Sequence, residues 1–354
     1  MNRSTAGGRV RVRIEDVAER AGVSTASVSL VLRDRPGPSA ATRERVRAVA
    51  EELGYRPDRA ASVLARHRSR LIGVLLDVTH PFHGELVLAL DEAAGARGLD
   101  LVLSTTTARR DEAAAVETLL DFRCEGLALL GPGMPRAALD QLGVRCPTVV
   151  IGRTGSREVP GVRAADGQGL EVAVDHLTGL GHERIAFVDG PRGSIATARR
   201  RGYREAMARH GLSGLVDVIA GGSTEQGGVA AAGVVVARAP AGRPTGIVCF
   251  NDRCAIGLRD SLIRAGIDVP EGVSVVGYDD SALARLGTVG LTSVSQDPVG
   301  LASATMAILG ARLDGHPPAR PLASDTDVVV VPRLVVRRSS APPREISSVD
   351  GVDQ

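Results

Sequence analysis

Asp77, Thr105 to Thr107, Asp189, Asn251-Asp252 and Asp279-Asp280 are hydrogen-bonding groups that each come directly after an apolar run. Carboxylates, amides and hydroxyls gathered at the carboxyl ends of buried strands suit a small hydrogen-bonding ligand, because open α/β sheets bind there. Each of them alone serves equally well as a cap for the next helix. As a set they describe the facing rims of a cleft, with the first two groups on one lobe and the others on a second. A different group, Ser24, Thr25, Ala26 and Ser29, is small and largely hydroxylic and lies just after Gly22. Such side chains let a helix approach base edges and phosphates closely. Catalytic constellations are missing from the sequence, which holds no GxxxxGK[ST], GxSxG or HExxH. Ala220 to Gly228 is glycine-rich but lacks the lysine of a phosphate loop, and reads as a turn into a helix. His80 and His83 have no evident third ligand, so solvated or capping histidines fit better than a metal site. Cys124, Cys146, Cys249 and Cys254 stand singly. They point to a reduced, cytoplasmic protein without disulfides, and neither a metal nor a cofactor is expected.

The chain has 354 residues, room for two or three domains. It carries no apolar run long enough to span a membrane and no signal-peptide h-region, so a secreted or membrane protein is not expected. Its charge is uneven. Residues 1–70 hold 15 Arg against 8 acids, or +7, while the rest is −5. A basic module on a mildly acidic body is a footprint of nucleic-acid binding, although a charged stretch is more often a solvated face.

The elements that must carry these residues are read from periodicity. Residues 1–13 read as a disordered arm. From Ile14 to Leu53 the spacing is helical in three pieces, with Val17, Ala18, Val28, Val31, Val46, Val49 and Ala50 inward. Gly22 and Gly54 act as stops, and Ser24 and Ser39 as caps. Two short helices across a glycine turn are the logic of a helix-turn-helix, whose second helix enters the major groove. Beyond Leu71, apolar runs at Leu71–Leu76, Leu99–Leu103, Gly126–Leu130, Thr148–Ile151, Ile185–Val188, Val216–Ile219, Gly246–Phe250 and Val273–Gly277 alternate with helical segments. That alternation argues doubly wound parallel sheets, and some 270 residues of it argue two lobes. A pure ligand-binding protein of periplasmic type would fit the core alone; the basic headpiece argues against it.

Several separated motifs in one order make the reading specific. Asp16-Val17-Ala18 through Val28-Ser29, Glu52-Leu53-Gly54-Tyr55-Arg56-Pro57, Leu180-Gly181-His182-Glu183-Arg184-Ile185-Ala186 and Val269-Pro270-Glu271-Gly272 through Gly277-Tyr278-Asp279-Asp280 resemble the LacI/GalR family of bacterial transcription regulators. Leu291-Thr292-Ser293-Val294 and Leu334-Val335-Val336-Arg337 extend the likeness to nearly the whole chain. The resemblance implies a three-helix headpiece over 14–57, a hinge helix over 58–69 and a periplasmic-binding-protein-like core over 70–340. Lobe 1 would take about 70–165 and 297–325, lobe 2 about 166–296 and 326–340, with a flexible tail from 341 to 354. It further implies a homodimer on double-stranded, pseudo-palindromic operator DNA, a small effector between the lobes, and no enzymatic activity.

Residue by residue, the resemblance places Thr25 and Ala26 at base-reading positions and Ser24 and Ser29 at phosphates. Leu30 stands where Arg or His is frequent, which turns a polar base contact into an apolar one of the kind a thymine methyl offers. Leu64 matches the leucine that wedges into the minor groove, and Ser62 and Ala65 replace residues that are often basic. In the core, Arg199 and Asp279 match effector-binding positions. Asn251 matches a polar position and Phe82 one that packs on a ligand ring. Gly152-Arg153 departs from the frequent Asp-Arg and removes an acceptor from the cleft. The expected effector is small and polar, with a sugar or sugar derivative foremost.

Overall fold

The computed structural model describes residues 12–32, 34–55, 68–315 and 327–344; Ser62, Leu64 and Ala65 of the hinge segment lie outside them. The chain divides into two compact units at Ser69/Arg70.

The first unit holds α1 (Ile14–Ala21), α2 (Thr25–Leu32) and α3 (Ala40–Glu52). Its core is the expected set of small apolar side chains, Val17, Ala18, Val28, Val31, Val46, Val49 and Ala50, with Ala21 beside them. Gly22 ends α1 at φ 65°, a left-handed conformation that costs glycine nothing, and the Val23 N–H donates back to the Ala18 carbonyl at 3.0 Å. Ser24 Oγ accepts from the Ser27 N–H at 3.2 Å, and Ser39 Oγ from the Thr42 N–H at 3.3 Å, which satisfies helix-end donors. Val12 and Arg13, expected within a disordered arm over 1–13, are ordered. Val12 packs against this core, and the Arg13 N–H donates to Asp16 Oδ2 at 2.7 Å, so the chain is tied down before α1 begins.

The second unit is built on two six-stranded sheets. Lobe 1 carries β1 (Leu71–Leu76), β2 (Asp100–Thr105), β3 (Gly126–Leu130), β4 (Thr148–Ile151), β5 (Gly161–Ala164) and β11 (Val328–Val330), in the spatial order β11-β5-β4-β3-β1-β2 and parallel throughout. Helices α4 (Pro81–Gly95), α5 (Glu112–Asp121), α6 (Arg136–Arg145) and α12 (Pro298–Leu313) belong to it. Lobe 2 carries α7 (Asp166–Gly179), β6 (Ile185–Asp189), α8 (Ser194–Arg209), β7 (Asp217–Ala220), α9 (Glu225–Val236), β8 (Gly246–Cys249), α10 (Asp252–Arg264), β9 (Ser274–Asp279), α11 (Ala282–Arg285), β10 (Thr292–Ser295) and β12 (Arg333–Val335). Its strand order is β12-β10-β9-β8-β6-β7, parallel except for β12, which runs antiparallel to β10. The central strands read as unbroken apolar runs because helices cover both faces; every residue of β3, β4 and β8 is buried. Glycines let α9 and α10 meet closely: a Cβ on Gly228 would lie 2.0 Å from the Cys254 carbonyl oxygen. That packing accounts for the glycine-rich run at 220–228 without any phosphate.

The chain crosses between lobes three times, at Ala165, at Gln296-Asp297 and at Val331-Pro332. The last crossing falls after β11, whereas the sequence places it near 325; Val328–Val330 pairs with Val162–Ala164 and so belongs to lobe 1. Residues 341–344, expected within a flexible tail, are also held in place. The Ala341 N–H donates to Ser274 Oγ at 3.0 Å, and Arg344 pairs with Asp268 at 3.1 Å, which docks 341–344 on lobe 2.

Candidate functional site

In the first unit, Val28 and Val31 turn α2 inward, which leaves Ser24, Thr25 and Ala26 exposed and Ser29 half-buried. Thr25 and Ser29, and Ala26 and Leu30, are four apart, so they share one face of the helix. Leu30 is 38% exposed, unusual for a leucine on an eight-residue helix with a core to fill. The face is small and apolar-to-hydroxylic, fit for close approach to a groove.

In the second unit, a cleft lies between the lobes. Its empty space, open solvent at the mouth included, is about 590 Å³. Phe82, Arg199, Asn251 and Asp279 all line it, with Phe250 beside them. Lobe 2 supplies the charged floor. Arg199 is buried on α8, and its Nε donates to Asp166 Oδ1 at 2.9 Å. Its Nη1 donates to the Phe250 carbonyl oxygen, and its guanidinium lies over the rings of Tyr278, at 3.5 Å, and Phe250, at 4.8 Å. Burial works against this charge, but Asp166, Tyr278 and Asp279 outweigh it and hold Arg199 firmly protonated. A fork with one arm pinned by a carboxylate and a carbonyl presents its remaining N–H groups in a fixed direction.

Asp279 ends β9 at φ 113°, a conformation rare for a residue with a side chain and one that active and binding sites often retain. It accepts from Gln296 Nε2 at 2.6 Å. Burial pushes its carboxyl up, to about 7, while Arg199 and Gln296 pull the other way. Its buried neighbour Asp252 is raised for the same reason, although Ser293 Oγ and the Ser281 N–H both donate to it. Asn251 faces the cleft but is also the cap of α10: its Oδ1 accepts from the Cys254 N–H and its Nδ2 donates to the Ser223 carbonyl, both at 3.0 Å.

Other strand-end residues are spent locally. Asp77 accepts from Thr79, Asp189 pairs with Arg200 at 2.5 Å, and Asp280 pairs with Arg337 at 2.6 Å. In place of the missing strand-end acceptor, Gly152 lines the cleft, and Arg153 turns away to the carbonyls of Pro132 and Met134. Four polar lining residues escape the sequence reading: Asp166, Gln296, His80 and His83. The first two sit at lobe crossings, after strands too short or too polar to recognise. The histidines are half-buried rather than fully solvated, and His80, which precedes α4, makes no cap bond with its side chain. They stack at 4.6 Å in the cleft wall, and burial pushes His83 down to about 4. Among the described residues no group of three or more His, Cys, Asp or Glu is placed to hold a metal ion, and no helix is long and apolar enough to cross a membrane.

The lobes are tied together beside the cleft. Glu85 on α4 accepts from Arg285 at 2.8 and 2.9 Å and from the Ala282 N–H at 2.9 Å. Arg253, held by Glu225, donates to the Thr79 carbonyl at 2.9 Å.

Two α/β lobes joined by three crossings around a polar cleft define a periplasmic-binding-protein-like core, here in one chain with a helix-turn-helix unit. Residues 174–340 match the periplasmic binding protein-like domain, and residues 13–58 match bacterial regulatory proteins of the lacI family. The chain is 33% identical over 340 residues to the HTH-type transcriptional regulator GalR of Escherichia coli K12, covering 93% of this chain and 96% of that protein. Among solved structures, a LacI transcriptional regulator from a Rhodococcus species is 40% identical with a TM-score of 0.72, covering 77% of this chain and all of the other. The lac repressor dimer bound to operator and the anti-inducer ONPF is 28% identical with a TM-score of 0.76, covering 94% of this chain and all of the other. The chain belongs to the LacI family of bacterial regulatory proteins.

Proposed function

We propose that this chain is a sequence-specific DNA-binding transcription regulator, a repressor, whose operator affinity is set by a small polar effector held between the core lobes. One observation carries the reading: a single chain joins a helix-turn-helix with an open face at Ser24, Thr25, Ala26, Ser29 and Leu30 to a two-lobed core with a buried, pre-set guanidinium at Arg199. The lac repressor of similar structure is a dimer on its operator, which supports a homodimer here and a pseudo-palindromic site with one half for each headpiece. Leu64 takes the minor-groove wedge, and Phe82, Arg199, Asn251 and Asp279 contact the effector. The protein works in the cytoplasm as a regulator rather than a catalyst. Effector and DNA are linked through the lobe angle, and a ligand shifts that equilibrium only by its differential affinity for the two states.

The test is selection of genomic fragments by the purified protein at near-physiological salt. Recovery of a few sites sharing a pseudo-palindrome supports the proposal. Uniform recovery that fades with salt, both alone and with a small-molecule extract of the cells added, overturns it, because that is the behaviour of a basic arm on phosphates.

A further inference from the structure

The polar groups of the cleft are divided unequally between its walls. Asp166, Arg199, Asn251, Asp279 and Gln296 all belong to lobe 2 or to the crossings into it. On lobe 1 the lining is Phe82, Leu86, Leu130, Ile151, Leu301 and small residues, and its polar side chains are His80 and His83. The His83 tautomer is set by its neighbours. The Asp77 N–H donates to His83 Nδ1 at 3.0 Å, a bond that needs the lone pair of that nitrogen. Nδ1 is therefore the acceptor, and the neutral ring carries its proton on Nε2, the atom that lies toward Gly131 in the cleft wall. His80 stacks on this ring, and its Nδ1 is buried with no hydrogen-bond partner. A buried nitrogen without a hydrogen bond is destabilising and marks this wall as one that the fold alone leaves incomplete.

We propose that His80 and His83 are the specificity-determining residues of lobe 1, and that they select an uncharged, hydroxyl-rich effector, with His83 Nε2–H donating to one of its oxygens. The inference rests on the reading of the cleft as the effector site. The choice of an uncharged ligand comes from charge balance. Arg199 is paired with Asp166, both imidazoles are neutral, and Asp279 is drawn toward its protonated form. Neither wall offers an unopposed charge to repay the desolvation of a carboxylate, phosphate or ammonium. A hydroxyl, by contrast, accepts from His83 Nε2–H or Arg199 and donates to Asp279.

The experiment titrates the full-length protein, by calorimetry and thermal shift, with matched sets built on one carbon skeleton. Each set holds the neutral sugar or polyol, its aldonate or uronate, its amino sugar and its phosphate. The expected result is stabilisation by an uncharged member of at least one set and none by its charged counterparts. His83→Asn keeps the acceptor for the Asp77 N–H but falls short of the cleft, so it should lose at least tenfold in affinity. His83→Gln places an N–H close to the position of Nε2 and should restore much of it. His80→Phe keeps the stacked ring without its nitrogens and should also weaken binding, with the ligand-free melting temperature as the control on folding. Tighter binding of a charged member, no stabilisation by any uncharged one, or wild-type affinity in His83→Asn overturns the proposal. If Arg199→Ala abolishes the response while His83→Asn and His80→Phe retain it, only the histidine assignment falls. If Arg199→Ala also binds normally, the cleft reading itself fails.

Discussion

Replacing Arg199 by alanine tests the floor of the cleft most directly. The side chain is 4% exposed and its partner Asp166 10%, so truncation leaves a buried carboxylate without the guanidinium that pairs with it. Breaking a buried pair from one side costs about 3–5 kcal/mol, and the lost stacking on Tyr278 and Phe250 falls within the same side chain rather than adding in full. We expect a loss of about 4 kcal/mol and a fall of roughly 10 °C in Tm for a core of this size. With no tryptophan in the chain, far-UV circular dichroism during urea unfolding is the natural signal. The double variant Arg199→Ala/Asp166→Ala should cost less than the two single changes together, with a coupling of about 1–3 kcal/mol. Arg199→Lys keeps a charge for Asp166 but loses the second arm of the fork, so it should retain more stability than Arg199→Ala while losing the effector response. A cost below about 1 kcal/mol for Arg199→Ala, with an additive double variant, would make Arg199 one more surface arginine of the run 199–201.

Asp279→Asn tests the raised carboxyl. Its folded pKa of about 7 exceeds the ordinary 3.8, so the folded protein holds this proton more tightly. The stability it contributes is full below about pH 4 and is lost as pH rises through 7. The variant should therefore gain stability relative to wild type between pH 5 and 8, as read by urea unfolding; a difference that stays flat removes the shift. Glu85→Gln weakens the tie to Arg285, whose side chain is 45% exposed, so the discounted loss is about 0.5–1 kcal/mol. Effector affinity should fall about two- to fivefold as the open form gains population, and unchanged affinity means the tie does not bias closure. Leu64→Ala should weaken operator binding far more than non-specific binding in competition gel shifts; equal losses exclude the wedge.

The headpiece was legible because its signals are local. Apolar spacing, Gly22 at positive φ and the hydroxyls of Ser24 and Ser39 act within four residues of one another. The first strands of each lobe were legible because both faces are buried and their runs are apolar. β10 was not, since Thr292, Ser293 and Ser295 are buried hydroxyls. They are tolerated because the fold satisfies them: Ser293 Oγ donates to Asp252 Oδ1 at 2.6 Å, and Thr292 Oγ1 accepts from the Arg337 N–H at 2.9 Å. β5, four residues reading Gly-Val-Arg-Ala, is too short to show a period. With these strands hidden, Asp166 and Gln296 just beyond them were hidden too, since they become cleft residues only through the lobe crossings. His80 and His83 carried no signal beyond their spacing, and the cleft that they line is completed by residues distant in sequence.

On the proposed reading, the unequal walls also separate affinity from switching. The lobe 2 groups are already bound to one another: Arg199 to Asp166 and the Phe250 carbonyl, Asn251 to Ser223 and Cys254, and Asp279 to Gln296. Such a network is organised before the ligand arrives and holds it alike whether the cleft is open or closed. Interactions equal in both states strengthen binding without moving the equilibrium. Contacts to Phe82, His80 and His83 are different, because they form only when lobe 1 comes down on a ligand seated on lobe 2. The free energy that reaches the DNA is therefore the part supplied from lobe 1. Substitutions on that wall should reduce the effector's influence on operator affinity more than they reduce effector binding to the open form, and substitutions at Arg199 should remove both together.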